Sequence, residues 1–172
     1  LLLLMATFAF AQGTVPESGP ISARIGKMIY DRLGPRVDDL ANINEDLKSI
    51  RKNVNGERDF NLVNELIFNS EMLTTYGATT VKLLQLNEQI KDEYKSEYFR
   101  RQATDAQTAA KKVRAHVDEI TRLYKFIKVS SIMPTLDRAM DIYPQVANDL
   151  DLIALMLQKE TQGGQIKEQK LQ

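Results

Sequence analysis

Between Phe99 and Ile127 an apolar or small side chain recurs at alternating steps of four and three: Phe99, Ala103, Ala106, Ala110, Val113, Val117, Ile120, Tyr124 and Ile127. A period of about 3.5 residues held this long describes a narrow stripe down one helix, the pattern of a seam buried against partner helices. At about 1.5 Å per residue the stripe runs roughly 40 Å, longer than an average globular helix. Alanine lines its first half and larger side chains its second. A partner is therefore expected close to the backbone near Ala106 and Ala110, and further off near Ile120. The stripe constrains architecture and carries no chemistry.

The rest of the chain repeats the pattern. Ile21, Ile25, Met28, Ile29 and Leu33 recur at helical spacing, and Gly34-Pro35 is expected to stop or bend that helix. Leu40, Ile43, Leu47, Ile50 and Val54 follow by threes and fours, closed by Asn53-Val54-Asn55-Gly56. The next helix begins near Asp59, with the stripe Leu62, Leu66, Asn69, Leu73, Tyr76, Thr80, Leu83, Asn87, Ile90 and Tyr94. Phe60, Val63, Ile67, Val81 and Leu84 widen its apolar face enough for two neighbours. Asn69, Thr80 and Asn87 interrupt the stripe, either fixing register inside a seam or marking a partly solvated face.

Between Tyr94 and Phe99 the step is five and the phase breaks, although no Gly or Pro stands there. Either one helix switches its packing face or a short loop lies near Gln102 to Asp105, where Thr104-Asp105-Ala106-Gln107 resembles a cap. A continuous helix over 59–128 would extend roughly 100 Å, beyond the reach of one domain, so a turn is favoured. Ser130-Ser131-Ile132-Met133-Pro134 signals a new helix start. That last helix carries Leu136, Met140, Tyr143, Ala147, Leu150, Ala154 and Leu157, and Ile142, Val146, Ile153 and Met156 make it apolar nearly all round. Such a helix is either central in a bundle or covered by another chain. Pro144 inside it predicts a kink or short break.

These segments predict an all-α fold, an elongated antiparallel bundle of four to five helices with coiled-coil-like seams, occupying residues 21–160. The polar stretch 161–172, with Gly163-Gly164, reads as a disordered tail. At the other end Leu1–Phe10 reads LLLLMATFAF and ends in Ala9-Phe10-Ala11. This is the form of a signal-peptide core with its cleavage site, so 1–11 is expected to be a signal that begins part-way through and 12–20 a flexible mature N-terminus. The apolar run is too short to span a bilayer, leaving no stable membrane anchor after cleavage.

Composition excludes several chemistries. The 172 residues include no cysteine, which removes thiol nucleophiles, disulfides, iron–sulfur clusters and Cys-based zinc sites. An exported chain without cysteine suits a bacterial periplasm better than a disulfide-rich secretory route. Lys+Arg and Asp+Glu both number 23, so no overall field draws nucleic acid. His116 is the single histidine, too few for a di-iron bundle, and reads as a boundary residue beside the seam. No Gly-rich phosphate loop or nucleophile elbow is present. The chain is expected to need no cofactor or metal and to be no enzyme.

Charge is unevenly placed. Arg100 to Lys128 holds eight bases against three acids, and Thr135 to Glu160 holds five acids against two bases. Antiparallel neighbours of opposite sign would pair along their flanks. Two candidate interfaces follow. One is the cluster Tyr94, Tyr98, Phe99, Arg100 and Arg101, since aromatics with arginines favour interfaces. The other is the face of the last helix with Ile142, Val146, Ile153 and Met156.

In outline, a signal followed by long cysteine-free helices resembles the minor pilins of conjugation systems, a likeness of architecture that transfers no residue. The expected function is an exported, periplasmic or extracellular helical-bundle protein acting through protein–protein contacts, self-association among them, as a scaffold or pilin-like subunit. The alternatives are a periplasmic chaperone or a ligand-binding or sensory bundle with a pocket near Asn69, Tyr76 and Asn87.

Overall fold

A computed structural model of the chain describes residues 21–86 and 92–169. The predicted signal over 1–11, the N-terminal segment 12–20, and Asn87 and Ile90 lie outside the described residues. The helices are α1 (Ile21–Met28), α2 (Gly34–Arg51), α3 (Glu57–Gln85), α4 (Asp92–Tyr124) and α5 (Met133–Gln169). A π-helical turn, Ile29–Leu33, joins α1 to α2, and its flanking residues keep right-handed helical dihedrals. These three pieces make one rod, so the bundle has four.

Gly34-Pro35 thus bends the helical path without ending it, and the reason is local. Pro35 has no N–H for the Asp31 carbonyl and its ring would crowd that carbonyl in a regular helix. The wide turn relieves the crowding, and the Gly34 N–H bonds to Ile29 O. A Cβ at Gly34 would stand 2.8 Å from that oxygen, so the turn needs glycine there. The extra residue also re-phases the buried stripe. Ile25, Ile29, Leu33 and Val37, all buried, follow at steps of four that would drift around a straight α-helix.

Cross-links between rods fix the topology. Arg51 meets Asn64 and Asn44 meets Thr74 between α2 and α3. Gln102 reaches the Leu83 carbonyl and Arg122 reaches Glu65 between α3 and α4. Tyr124 meets Asp137 and Arg114 meets Asp151 between α4 and α5. Arg138 pairs with Asp46, and Arg36 with Asp149, between α5 and α2. In each couple one number rises as the other falls, so every adjacent pair of rods is antiparallel. The fold is an up-down-up-down four-helix bundle.

The Phe99–Ile127 stripe faces the core as predicted, with Phe99, Ala103, Ala106, Ala110, Val113, Ile120 and Ile127 buried. Val117 and Tyr124 are only half-buried, while Ala109 and Leu123 are buried beside the stripe. α4 therefore sinks a broader face between two neighbours than a two-stranded seam requires. α5 is the central helix of the two expected arrangements, packing on α1, α2, α3 and α4.

Three expectations need correction. The turn after α3 does not fall near Gln102 to Asp105: α3 ends at Gln85, α4 begins at Asp92, and Thr104 lies inside α4 with its hydroxyl on the Arg100 carbonyl. The phase break at Tyr94 reflects the new helix that has begun just before it. Of the kink or break expected at Pro144, the break is absent, since α5 runs on as one helix, and the Gln145 side-chain amide donates to the Asp141 carbonyl one residue beyond that orphaned by the proline. The helix also continues past Glu160 to Gln169, where composition predicts a disordered tail.

Candidate functional site

The first predicted interface does not gather on one surface. Tyr94 is exposed, but Phe99 is buried in the core and Tyr98 turns inward to donate to the Leu83 carbonyl at 3.4 Å. Arg100 and Arg101 are exposed and both close on Glu97, at 2.7 and 3.0 Å. Arg101, then Arg100, hold that carboxyl below its usual range. The second set is consumed within the chain: Val146, Ile153 and Met156 are buried against the other helices and Ile142 is half-buried on the same core. Their all-round apolarity reflects a helix with neighbours on most sides, so these residues offer no free face.

Asn69 and Tyr76 of α3 do meet, together with His116 of α4. Asn69 Nδ2 donates to the Glu65 carbonyl at 2.8 Å, which turns its Oδ1 toward His116 Nδ1 at 2.8 Å. Nδ1 is then the protonated nitrogen of the neutral ring. The Tyr76 ring stacks on the imidazole with centroids 6.0 Å apart, and Lys112 Nζ sits 5.1 Å from the Tyr76 centroid. Partial burial, with Lys112 adding to it, lowers the His116 pKa. Asn69 and Thr80 are buried and satisfied, Thr80 by the Tyr76 carbonyl at 2.9 Å. At Asn69 the interrupted stripe carries a polar contact inside the α3–α4 seam, with both the Oδ1 and the Nδ2 of the amide bonded.

Two buried polar groupings escaped the sequence reading. One is a layer through α2, α3 and α5, in which Asn44, Ser70 and Tyr143 are buried. Ser70 Oγ donates to Asn44 Oδ1, so Tyr143 donates to Ser70 at 2.7 Å, and Asn44 Nδ2 donates to Thr74 Oγ1 at 3.0 Å. Burial pushes the Tyr143 phenol up to about 12. Tyr143 had registered as an apolar stripe member, yet Asn44 stands four residues after Leu40 and three before Leu47, a polar group at core spacing. The second grouping is Asp149, whose side chain is fully buried between Arg36 and Arg32, the latter at 2.8 Å. Arg32 lies in the π turn and Arg36 four residues on, in the first turn of α2, and Asp149 lies three residues after Val146 and four before Ile153. Charge counting had placed it among the acids expected to pair with the basic stretch Arg100 to Lys128.

The predicted pairing of basic α4 with acidic α5 is present in part. Arg114 reaches Asp151 and, at 3.1 Å, Asn148. Tyr124 donates to Asp137 at 2.7 Å, which raises its phenol pKa.

Clefts open on the outer surface among the described residues. At the end where α4 gives way to α5, a cleft of about 530 Å³ is lined by Gly56, Glu57, Arg58, Asp59, Lys125, Phe126 and Lys128, with charges of both signs. Two more lie along one seam, between α2 and α3. One, of about 360 Å³, runs over Tyr30, Pro35, Val37, Ala78 and Val81. The other, of about 410 Å³, runs over Ala41, Asn44, Phe68, Met72 and Thr75. Between them Gly77 lets the helices touch: a Cβ there would stand 2.7 Å from Val37 Cγ2. Tyr30 and Phe68, 64% and 58% exposed, stand at opposite ends and on opposite sides of this seam.

Among the described residues no three His, Asp or Glu side chains are grouped to hold a metal ion, and no helix is long and apolar enough to cross a membrane. No protein-family model, curated protein or solved structure matches this chain.

Proposed function

We propose that the chain is an exported, non-enzymatic helical-bundle protein that works through protein–protein contacts, as a scaffold or minor-pilin-like subunit of a secretion or conjugation machine. The observation that supports this reading is the α2–α3 seam. Every rod has an apolar face committed to the core, yet two large aromatics remain in solvent beside an open apolar groove. Exposed apolar surface rimmed by polar groups marks contact sites. By contrast, the buried polar side chains Asn69 and Thr80, near which the ligand-binding alternative would need open polar atoms, are bonded within the chain.

The reading is tested in the native host with a photo-crosslinking amino acid at Tyr30, Phe68, Tyr94 and Leu155, together with fractionation and mass analysis of the mature N-terminus. An N-terminus near Gln12 in an exported fraction, and adducts to protein at one surface, are expected. An uncleaved chain in the cytosol, or no protein adduct from any position, would overturn it.

A further inference from the structure

α1 is the least anchored helix of the bundle. It has eight residues with Gly26 in its middle, shorter than the roughly 12–15 residues at which an isolated helix becomes even marginal in water. A Cβ at Gly26 would meet open space, so packing does not demand the glycine, and it only weakens the helix. Apart from the π turn it runs into, α1 packs on α5 above all other rods. The side-chain links from this rod to its neighbours begin at Arg32: Arg32 and Arg36 to Asp149, then Asn44 to Thr74, Lys48 to Glu71 and Arg51 to Asn64. Among the described residues, no side chain of 24–28 reaches another rod with a hydrogen bond or ion pair, and the buried Nε of Arg24 meets no acceptor. What holds α1 down is the burial of Ile25 and Met28.

The joint to α2 is weak as well. In the π turn the ladder widens, with the Gly34 N–H on Ile29 O, and Pro35 gives no N–H to the turn before it. Helices bend at prolines and π turns. Just past the joint the hold is firm, since Leu33 is fully buried and the two arginines close on Asp149. Register then shows what α1 covers. The rods are antiparallel, and Arg32 lies 2.8 Å from Asp149. Met28 and Ile25 stand four and seven residues before Arg32, and Ile153 and Met156 stand four and seven after Asp149. Those steps keep each set on one helix face, so α1 lies over Ile153 and Met156, both buried.

We infer that α1 is a strap that opens apart from the rest of the bundle, hinged at the π turn, and that its opening bares Ile153 and Met156 of α5. Releasing any other helix breaks its cross-links and a long stripe of core residues together, whereas releasing α1 gives up little more than two apolar side chains. The strap switches the apolar end of α5 between a covered and an available state. The device holds or fails on this chain alone, independently of the protein-contact function.

The test is native-state hydrogen exchange on the full chain, in urea held below its unfolding transition. After correction for intrinsic rates, the amides of Ile25 to Met28 are expected to exchange at least about a hundredfold faster than those of Ile43 to Leu47. Their rate should be nearly independent of urea, as for an opening that exposes little surface. Equal rates with one common urea dependence would mean that α1 opens only when the whole chain unfolds, and would overturn the inference. The chain has no cysteine, so single introduced thiols report on the covered face. Met156→Cys should react with a thiol reagent through the same urea-insensitive opening, and Leu66→Cys, in the core of α3, only through global unfolding. Identical labelling of the two refutes the strap. Ile25→Asp should strip protection from α1 while α3, α4 and α5 stay protected and unfold cooperatively; loss of protection throughout the chain refutes it equally.

Discussion

Removing the carboxylate of Asp149 tests how the N-terminal rod is held to α5. The side chain is 0% exposed, and the arginines on it, Arg32 and Arg36, are 30% and 24% exposed. Breaking a fully buried ion pair by deleting one partner costs about 3–5 kcal/mol, because the other charge is left without compensation. Here the orphaned guanidiniums keep some contact with water, which lowers the expected loss for Asp149→Ala to about 2–3 kcal/mol. For a chain of this size that corresponds to a fall in melting temperature of roughly 4–12 °C. Urea unfolding followed by far-ultraviolet circular dichroism measures it. The decisive companion is Asp149→Leu combined with Arg32→Met and Arg36→Met. Replacing all three charges leaves none orphaned, so this variant should recover most of the loss. A cost under about 0.5 kcal/mol for Asp149→Ala, or a triple variant no more stable than the single one, would refute the reasoning.

Three further outcomes follow from the interior. Tyr143, with its phenol pushed up to about 12, keeps its proton while the unfolded chain gives it up near pH 10. Stability should therefore fall as pH rises across that window, at up to about 1.4 kcal/mol per pH unit. Tyr143→Phe should lose that component of the fall, at a cost near neutrality of about 1 kcal/mol for the missing hydrogen bond; an identical alkaline profile would disprove it. For His116 the pKa is depressed in the fold, so the folded state resists the proton. Stability should decline as pH drops below about 6.5, the unfolded value, and His116→Gln should flatten that decline in denaturant titrations between pH 5 and 7.5. Gly77→Ala places a methyl 2.7 Å from Val37 Cγ2. Overpacking of about 1–3 kcal/mol should exceed the gain in helix propensity of about 1 kcal/mol, and Val37→Ala should relieve it; a stabilised single variant would show that α2 and α3 yield there.

Helical identity was legible throughout because it rests on a local rule. The spacing of Phe99, Ala103, Ala106, Ala110, Val113, Ile120 and Ile127 places them on one face whatever the partner, and all are buried. Ser130 to Pro134 likewise announced the start of α5. Local rules served less well where two of them competed. The phase break at Tyr94 and the cap-like Thr104-Asp105 pointed to a turn among residues that propensity alone keeps helical. Gly34-Pro35 left stop and bend both open, because no sequence rule anticipates a π turn that absorbs proline's missing donor.

The candidate sites were read less accurately, since a side chain's availability is a property of the whole assembly. Val146, Ile153 and Met156 are apolar in any context, and only the central placement of α5 converts them from a presumed interface into core. Tyr98 and Phe99 turn inward for the same reason. Conversely, nothing local marks Asp38 and Asp39 as rim charges. That follows from Arg32, Arg36, Lys48 and Arg51 being drawn to partners on α5 and α3, while Glu45 and Asp46 are paired with Lys48 and Arg138.

The sequence by itself determined that this chain forms long helices, where most of them begin, and which stripe each one buries, because hydrophobic periodicity and turn chemistry act within a few residues. The tertiary structure alone decided that four rods close into a ring. It also decided that Asp149 is buried while Asp137, Asp141 and Asp151 of the same helix are exposed, and that clefts remain along the α2–α3 seam. Those outcomes depend on which helix packs against which, and the pairing energy is set by residues about a hundred positions apart, such as Arg36 and Asp149.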